Sequence, residues 1–144
     1  MNKNIYFPII TVITGLLSGC GDTLESADAT NSEAVRLGQI IYADHCAECH
    51  GINLEGQPNW RSPKEDGMLP APPHDDSGHT WHHDDQLLFN YTKGGGAAIA
   101  PKGFKSGMPA YGEILSDQQI WQVLSYIKSR WSPQAQERQA QMNK

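Results

Sequence analysis

Cys46-Ala47-Glu48-Cys49-His50 constrains this chain more than any other stretch of it. The spacing lets two thiols add to the two vinyl groups of one porphyrin, and the histidine that follows sits under the iron as its nitrogen ligand. Two other uses of a close cysteine pair fail on their requirements. A structural zinc site needs four protein ligands, commonly with a second Cys/His pair, and the chain has only three cysteines. A thioredoxin-like pair lies between a strand and a helix, whereas the residues before Cys46 read as helix with no strand ahead of them. The motif therefore predicts one covalently attached haem c and one-electron chemistry at iron.

The third cysteine belongs to a different signal. Residues 1–19 read as a signal peptide: one lysine in Met1-Asn2-Lys3-Asn4, a largely apolar run from Ile5 to Leu17, then Leu17-Ser18-Gly19-Cys20. The apolar run, interrupted by Pro8 and Gly15, is short for a bilayer span. The Leu-Ser-Gly-Cys ending resembles a bacterial lipobox, which predicts Cys20 as a lipidated first residue. All three thiols then have a use, with no disulfide in an oxidising compartment. Gly21 rather than Asp follows Cys20, so a second-position Asp signal for the inner membrane is missing, which leans toward the outer membrane.

Residues 20–31 are small and polar and read as a lipidated flexible tether reaching about 15–20 Å. Residues 32–132 form the predicted domain, and 133–144 a polar, Gln-rich tail with no assigned role. The formal charge of −5 becomes one unit more negative when Lys3 leaves with the leader. Lys93, Lys102 and Lys105 are too dispersed for a nucleic-acid surface, and an acidic carrier suits partners with a basic docking face.

The domain reads as all-α, three to four helices wrapped around one haem, with long loops. Ser32 is placed as cap of a first helix running to Cys46, with Val35, Ile40 and Ile41 among its apolar positions. A second spans about Asp84 to Thr92, with Leu87, Leu88 and Tyr91 as its face, and is stopped by Gly94-Gly95-Gly96. The last opens on a capping box, Ser116-Asp117-Gln118-Gln119, and carries Ile120, Val123, Leu124 and Ile127 on one face. Pro133 blocks its continuation. So few helices bury too little core for this length unless a large apolar group fills the middle, and haem is such a group.

A sixth iron ligand is sought in Gly107-Met108-Pro109-Ala110-Tyr111, where the proline keeps Met108 out of a helix and its thioether can reach the iron. Met68 and Met142 are the rivals. These residues together resemble the class I c-type cytochromes: Gly38 and Tyr42, Cys46 to His50, Met108 to Tyr111, and Val123 with Tyr126, over roughly residues 32 to 132. The resemblance implies that Gly38 lets the first and last helices cross closely beside an aromatic pair, and that Tyr111 supports the haem pocket. It also implies a proline carbonyl accepting the proximal imidazole N–H, here from Pro72 or Pro73. Electron transfer between redox partner proteins, without substrate turnover, is the implied activity.

One segment departs from a minimal cytochrome. His74-Asp75-Asp76-Ser77-Gly78-His79-Thr80-Trp81-His82-His83-Asp84-Asp85 packs four imidazoles and four carboxylates into twelve residues. His74, His79, His82 and His83 are candidates for a copper site. The competing reading is a surface loop whose side chains bond turns, cap the next helix and hold a haem propionate. His79 or His82 is also a rival sixth ligand. Trp60 and Arg61 are candidates to pack over the haem edge and pair with a propionate. Two other functions follow from these features: a copper-handling protein using the loop, or a haem peroxidase or gas-binding protein with a labile Met108.

Overall fold

Helical periodicity carries through to the architecture. The computed structural model describes residues 23–143, so the leader and Cys20 lie outside the described residues. Six α-helices follow one another, α1 (Ser32–His45), α2 (Ala47–His50), α3 (Asp85–Gly94), α4 (Gly96–Ile99), α5 (Asp117–Ser129) and α6 (Pro133–Met142). A 3₁₀ turn covers Thr80–His82, and there is no strand among the described residues. Two of the helices, α2 and α4, are single turns, and α2 is the one that carries the cysteine motif.

The frame is the crossing of α1 and α5. A Cβ added to Gly38 would run into the backbone carbonyl of Gln122, so only glycine permits this approach. Tyr42 of α1 and Tyr126 of α5 pack beside the crossing with ring centroids 5.4 Å apart. Ile120, Val123, Leu124 and Ile127 of α5 are all buried. At its start Ser116 Oγ accepts from the Gln119 N–H while Gln119 returns a bond to the Ser116 N–H, closing the expected capping box.

Two helices differ in detail from their sequence-based expectation. In α1 the cap is Asn31, whose side chain accepts from the Ala34 N–H, and Ser32 is the first helical residue. Its buried face is Ala34, Gly38, Ile41 and Tyr42, while Ile40 is 51 % exposed. The close crossing requires glycine at position 38, with Ile41 and Tyr42 filling the space beside it. In α3 the buried positions are Asp85, Phe89 and Thr92, with Leu87 pointing outward. Stacking of Phe89 on Trp121, centroids 4.2 Å apart, sets the rotation of this helix.

The two ends of the described chain are also ordered against the frame. Residues 24–28 were expected to be free tether, yet the Leu24 N–H donates to Gln118 Oε1 and the Asp28 N–H to Ser125 Oγ, both at 2.9 Å. Ala27 is buried, and its carbonyl accepts from Lys128 Nζ. The ordering comes from α5 side chains satisfying the strap's backbone, a term that apolar composition does not register. At the other end Ser132 caps α6 and Pro133 occupies its first turn. Its Gln139 is fully buried and donates to Asp85 Oδ1 at 2.6 Å and to the His83 carbonyl. Lys128 pairs with the same Asp85 at 3.1 Å, which ties the strap, α3, α5 and α6 together.

Candidate functional site

Cys46 closes α1 and opens α2, and the Cys49 and His50 N–H groups both donate to its carbonyl. That turn puts Cys46 and Cys49 on one side, three residues apart, with the half-buried Cys46 and the exposed Cys49 both beside His50. Burial pushes the Cys46 thiol up to about 12, so it is held as a neutral thiol, the form that reacts most slowly as a nucleophile.

His50 is buried, and its Nδ1 lies 2.8 Å from the carbonyl oxygen of Pro72. A carbonyl only accepts, so Nδ1 carries the hydrogen and Nε2 keeps the lone pair. Burial holds the imidazole below its ordinary value, with the Pro72 bond opposing, which favours the neutral ring that a metal requires. Between the two prolines left open by the sequence, the carbonyl is that of Pro72.

Met108 sits half-buried in the loop ahead of α5. Its N–H donates to Ser106 Oγ at 3.2 Å and its carbonyl accepts from the Gly96 N–H at 3.1 Å. Tyr111 extends this clasp, because its hydroxyl donates to the His45 carbonyl at 2.6 Å, joining the methionine loop to the end of α1. Met68 approaches the same place: its sulfur lies 3.6 Å from where a Gly107 Cβ would stand, and Lys105 Nζ bonds the nearby Asp66 carbonyl. The Met68 sulfur therefore lies beside the residue that precedes Met108, a proximity that forty residues of separation conceal.

The histidine-rich segment does not converge. Among the described residues no three His, Cys, Asp or Glu side chains come together in a way that could hold a metal ion. His74 stacks on His50, His79 on Trp60, and His82 on Trp81. His83 meets His79 edge-on. The carboxylates take the structural roles: Asp75 accepts from Ser77, Asp76 from the Ser132 N–H, and Asp84 caps α3. Trp60 and Arg61 belong to this loop cluster as well, with the guanidinium 4.1 Å above the Trp60 ring and reaching the Ser77 carbonyl.

The residues fit a haem c. Two thiols on one helical turn, an imidazole with its Nδ1 already bonded and its Nε2 available, and a thioether on a clasped loop make up the donor set of that group. Sequence reasoning missed the supports of His74, namely Thr80 and Trp131. The signal for them was faint: a tryptophan just beyond the last periodic helix.

Comparison with known proteins adds one finding. No curated protein and no solved structure gives a significant match. The family model described as Cytochrome c matches residues 35–131, from within α1 to the tryptophan that follows α5. With that match over well more than half its length, the chain belongs to the cytochrome c family, whose members hold haem c covalently and generally act as electron carriers for redox partners.

Proposed function

We propose that the protein is a monohaem electron-transfer protein of the periplasmic side, tethered to a membrane by lipid on Cys20. In this reading Cys46 and Cys49 would hold the haem, and His50 Nε2 and Met108 Sδ would be the side-chain donors to its iron. The observation that carries the reading is the 2.8 Å contact between His50 Nδ1 and the Pro72 carbonyl. It orients the ring and raises its basicity, the support that metal-bound imidazoles ordinarily have. When bound, the haem supplies a one-electron couple between ferric and ferrous iron, with methionine ligation favouring a higher potential than a second histidine.

The chain's own contribution is to hold both ligands still. Pro72 fixes His50, while Ser106, Gly96 and the Tyr111 to His45 bond fix the backbone around Met108. Ligands held in this way move little between oxidation states, which keeps the transfer barrier low. The lipid reading draws support from the leader and the lipobox-like Leu17-Ser18-Gly19-Cys20. No helix among the described residues is long and apolar enough to cross a membrane. With residues 24–28 seated on α5, the span from Cys20 to Leu24 reaches at most about 14 Å, so the carrier works close to the membrane surface and to membrane-bound partners.

The test uses protein matured in a periplasm. Intact-mass measurement should show the gain of one haem, lost in a Cys46→Ala/Cys49→Ala variant. In the ferric state, Met108→Leu should abolish the long-wavelength charge-transfer band of thioether–iron ligation, and Met68→Leu should leave it. Loss of the band only in Met68→Leu would transfer the sixth position to Met68. A wild-type protein lacking the band, with a high-spin spectrum, would end the electron-carrier reading.

A further inference from the structure

We propose that His74 is a positioning residue for the axial imidazole, fixing the plane of the His50 ring by stacking on it. This rests on the reading of His50 as an iron ligand. The two rings lie 4.0 Å apart between centroids and 21° from parallel. The Pro72 carbonyl holds His50 by one edge nitrogen, which limits where the ring points but leaves rotation about that bond. A flat neighbour against the ring face removes the remaining freedom.

His74 is itself held from several sides. Its N–H donates to the Leu54 carbonyl at 2.8 Å, and its carbonyl accepts from Trp131 Nε1 at 2.8 Å. Its Nδ1 lies 2.8 Å from the hydroxyl of the buried Thr80, and Tyr42 meets the ring edge-on. Thr80 belongs to the 3₁₀ turn that α6 braces through Gln139 and the His83 carbonyl. Gly78 lets the loop fold back to reach this position, since a Cβ there would collide with the Pro73 carbonyl oxygen. Pro72 and His74, two residues apart, thus approach one imidazole by its edge and its face. An aliphatic side chain would fill the volume but set no plane. The unusual loop from His74 to His83, in which no three His, Cys, Asp or Glu side chains converge among the described residues, serves as the mount for that ring.

The orientation of an axial ligand is one of the levers by which a protein tunes a haem iron, and it can be read without any turnover assay. The experiment compares ferric wild type with His74→Leu, His74→Phe and Thr80→Val, all as periplasm-matured holoprotein, by electron paramagnetic resonance and by the haem-methyl proton shifts. Wild type should give one narrow set of g-values and one set of methyl shifts. His74→Leu should shift and broaden the g-values and split or redistribute the methyl shifts, while His74→Phe, which retains a flat ring but loses the Thr80 bond, should be perturbed clearly less. Thr80→Val, which keeps the imidazole stack and removes the same bond, should also be perturbed, by less than the leucine variant; it remains informative if His74→Leu does not mature. Spectra of His74→Leu and Thr80→Val that coincide with wild type would overturn the proposal, as would a His74→Phe variant perturbed as much as the leucine one. Failure of the underlying reading shows separately: His50→Ala with unchanged g-values would remove His50 from the iron.

Discussion

The α1–α5 crossing and the loop from His74 to His83 both hold defined positions, but by opposite means. The crossing is apolar and rests on one glycine, with Gly38 against the Gln122 carbonyl and α5 burying Ile120, Val123, Leu124 and Ile127. The loop buries little aliphatic surface. It is fastened by single polar bonds to the far end of the chain, Trp131 to His74, Ser132 to Asp76 and Gln139 to His83, and by ring stacks within itself. A packed interface averages many weak contacts and fails when backbones are forced apart. A polar mount has few bonds and loses its geometry one partner at a time.

The two regions meet at Lys128, and there the largest effect is expected. Its ammonium is mostly buried and pairs with Asp85, which also accepts from Gln139 of α6. Lys128→Met leaves the Asp85 carboxylate buried with no cation, a change that costs about 3–5 kcal/mol when a buried pair is broken. Denaturant melts of the holoprotein should show that loss, and Lys128→Met/Asp85→Leu should recover a large part of it. A cost within about 0.5 kcal/mol would place the pair with exposed salt bridges and make the join between the regions dispensable.

Gly38→Ala comes next and strikes only the packed region. The added methyl meets backbone rather than a side chain that can turn away, so a cost of about 1–3 kcal/mol is expected. The thermal midpoint should fall while the axial-ligand spectrum, set by the polar mount and the methionine loop, stays unchanged. If the spectrum moved with the midpoint, the two regions would not be separable.

These differences explain what the sequence could disclose. The cysteine motif and the capping box of α5 were legible because each is local, with partners a few residues apart, whereas the proline carbonyl, 22 residues from His50, came only as what the family resemblance implies. The Gly38 and Tyr42 pairing with Val123 and Tyr126 was legible only through family resemblance. The burial of Ile40 and Leu87 was misjudged because periodicity marks an apolar stripe without saying which edge of it faces a neighbour. The strap at 24–28 looked disordered because its bonds come from Gln118, Ser125 and Lys128, some hundred residues away. The histidine-rich loop left both a metal site and a surface loop open, because composition counts imidazoles but does not aim them.

The smallest effect is a test of the polar region by acid. His79 and His83 are both held below the ordinary histidine value, burial being the largest cause for each. For His79 the imidazoles of His83 and His82 and the Arg61 guanidinium act in the same direction, while for His83 the His82 ring adds and Asp84 opposes. A lowered value means that the folded protein resists the proton which the unfolded chain accepts. The corresponding stability is present above about pH 6.5 and drains away as pH falls through the folded values. Both rings are partly exposed, so solvent weakens the effect and the slope should be shallow. Urea midpoints between pH 7.5 and 5 should therefore fall more steeply for wild type than for His79→Phe/His83→Gln, which keeps a ring on Trp60 but carries neither proton. Gly38→Ala should run parallel to wild type, since the crossing contains no histidine. Parallel lines for all three proteins would show that the loop's imidazoles titrate as freely folded as unfolded, and the contrast between an apolar frame and a charge-sensitive mount would lose its polar half.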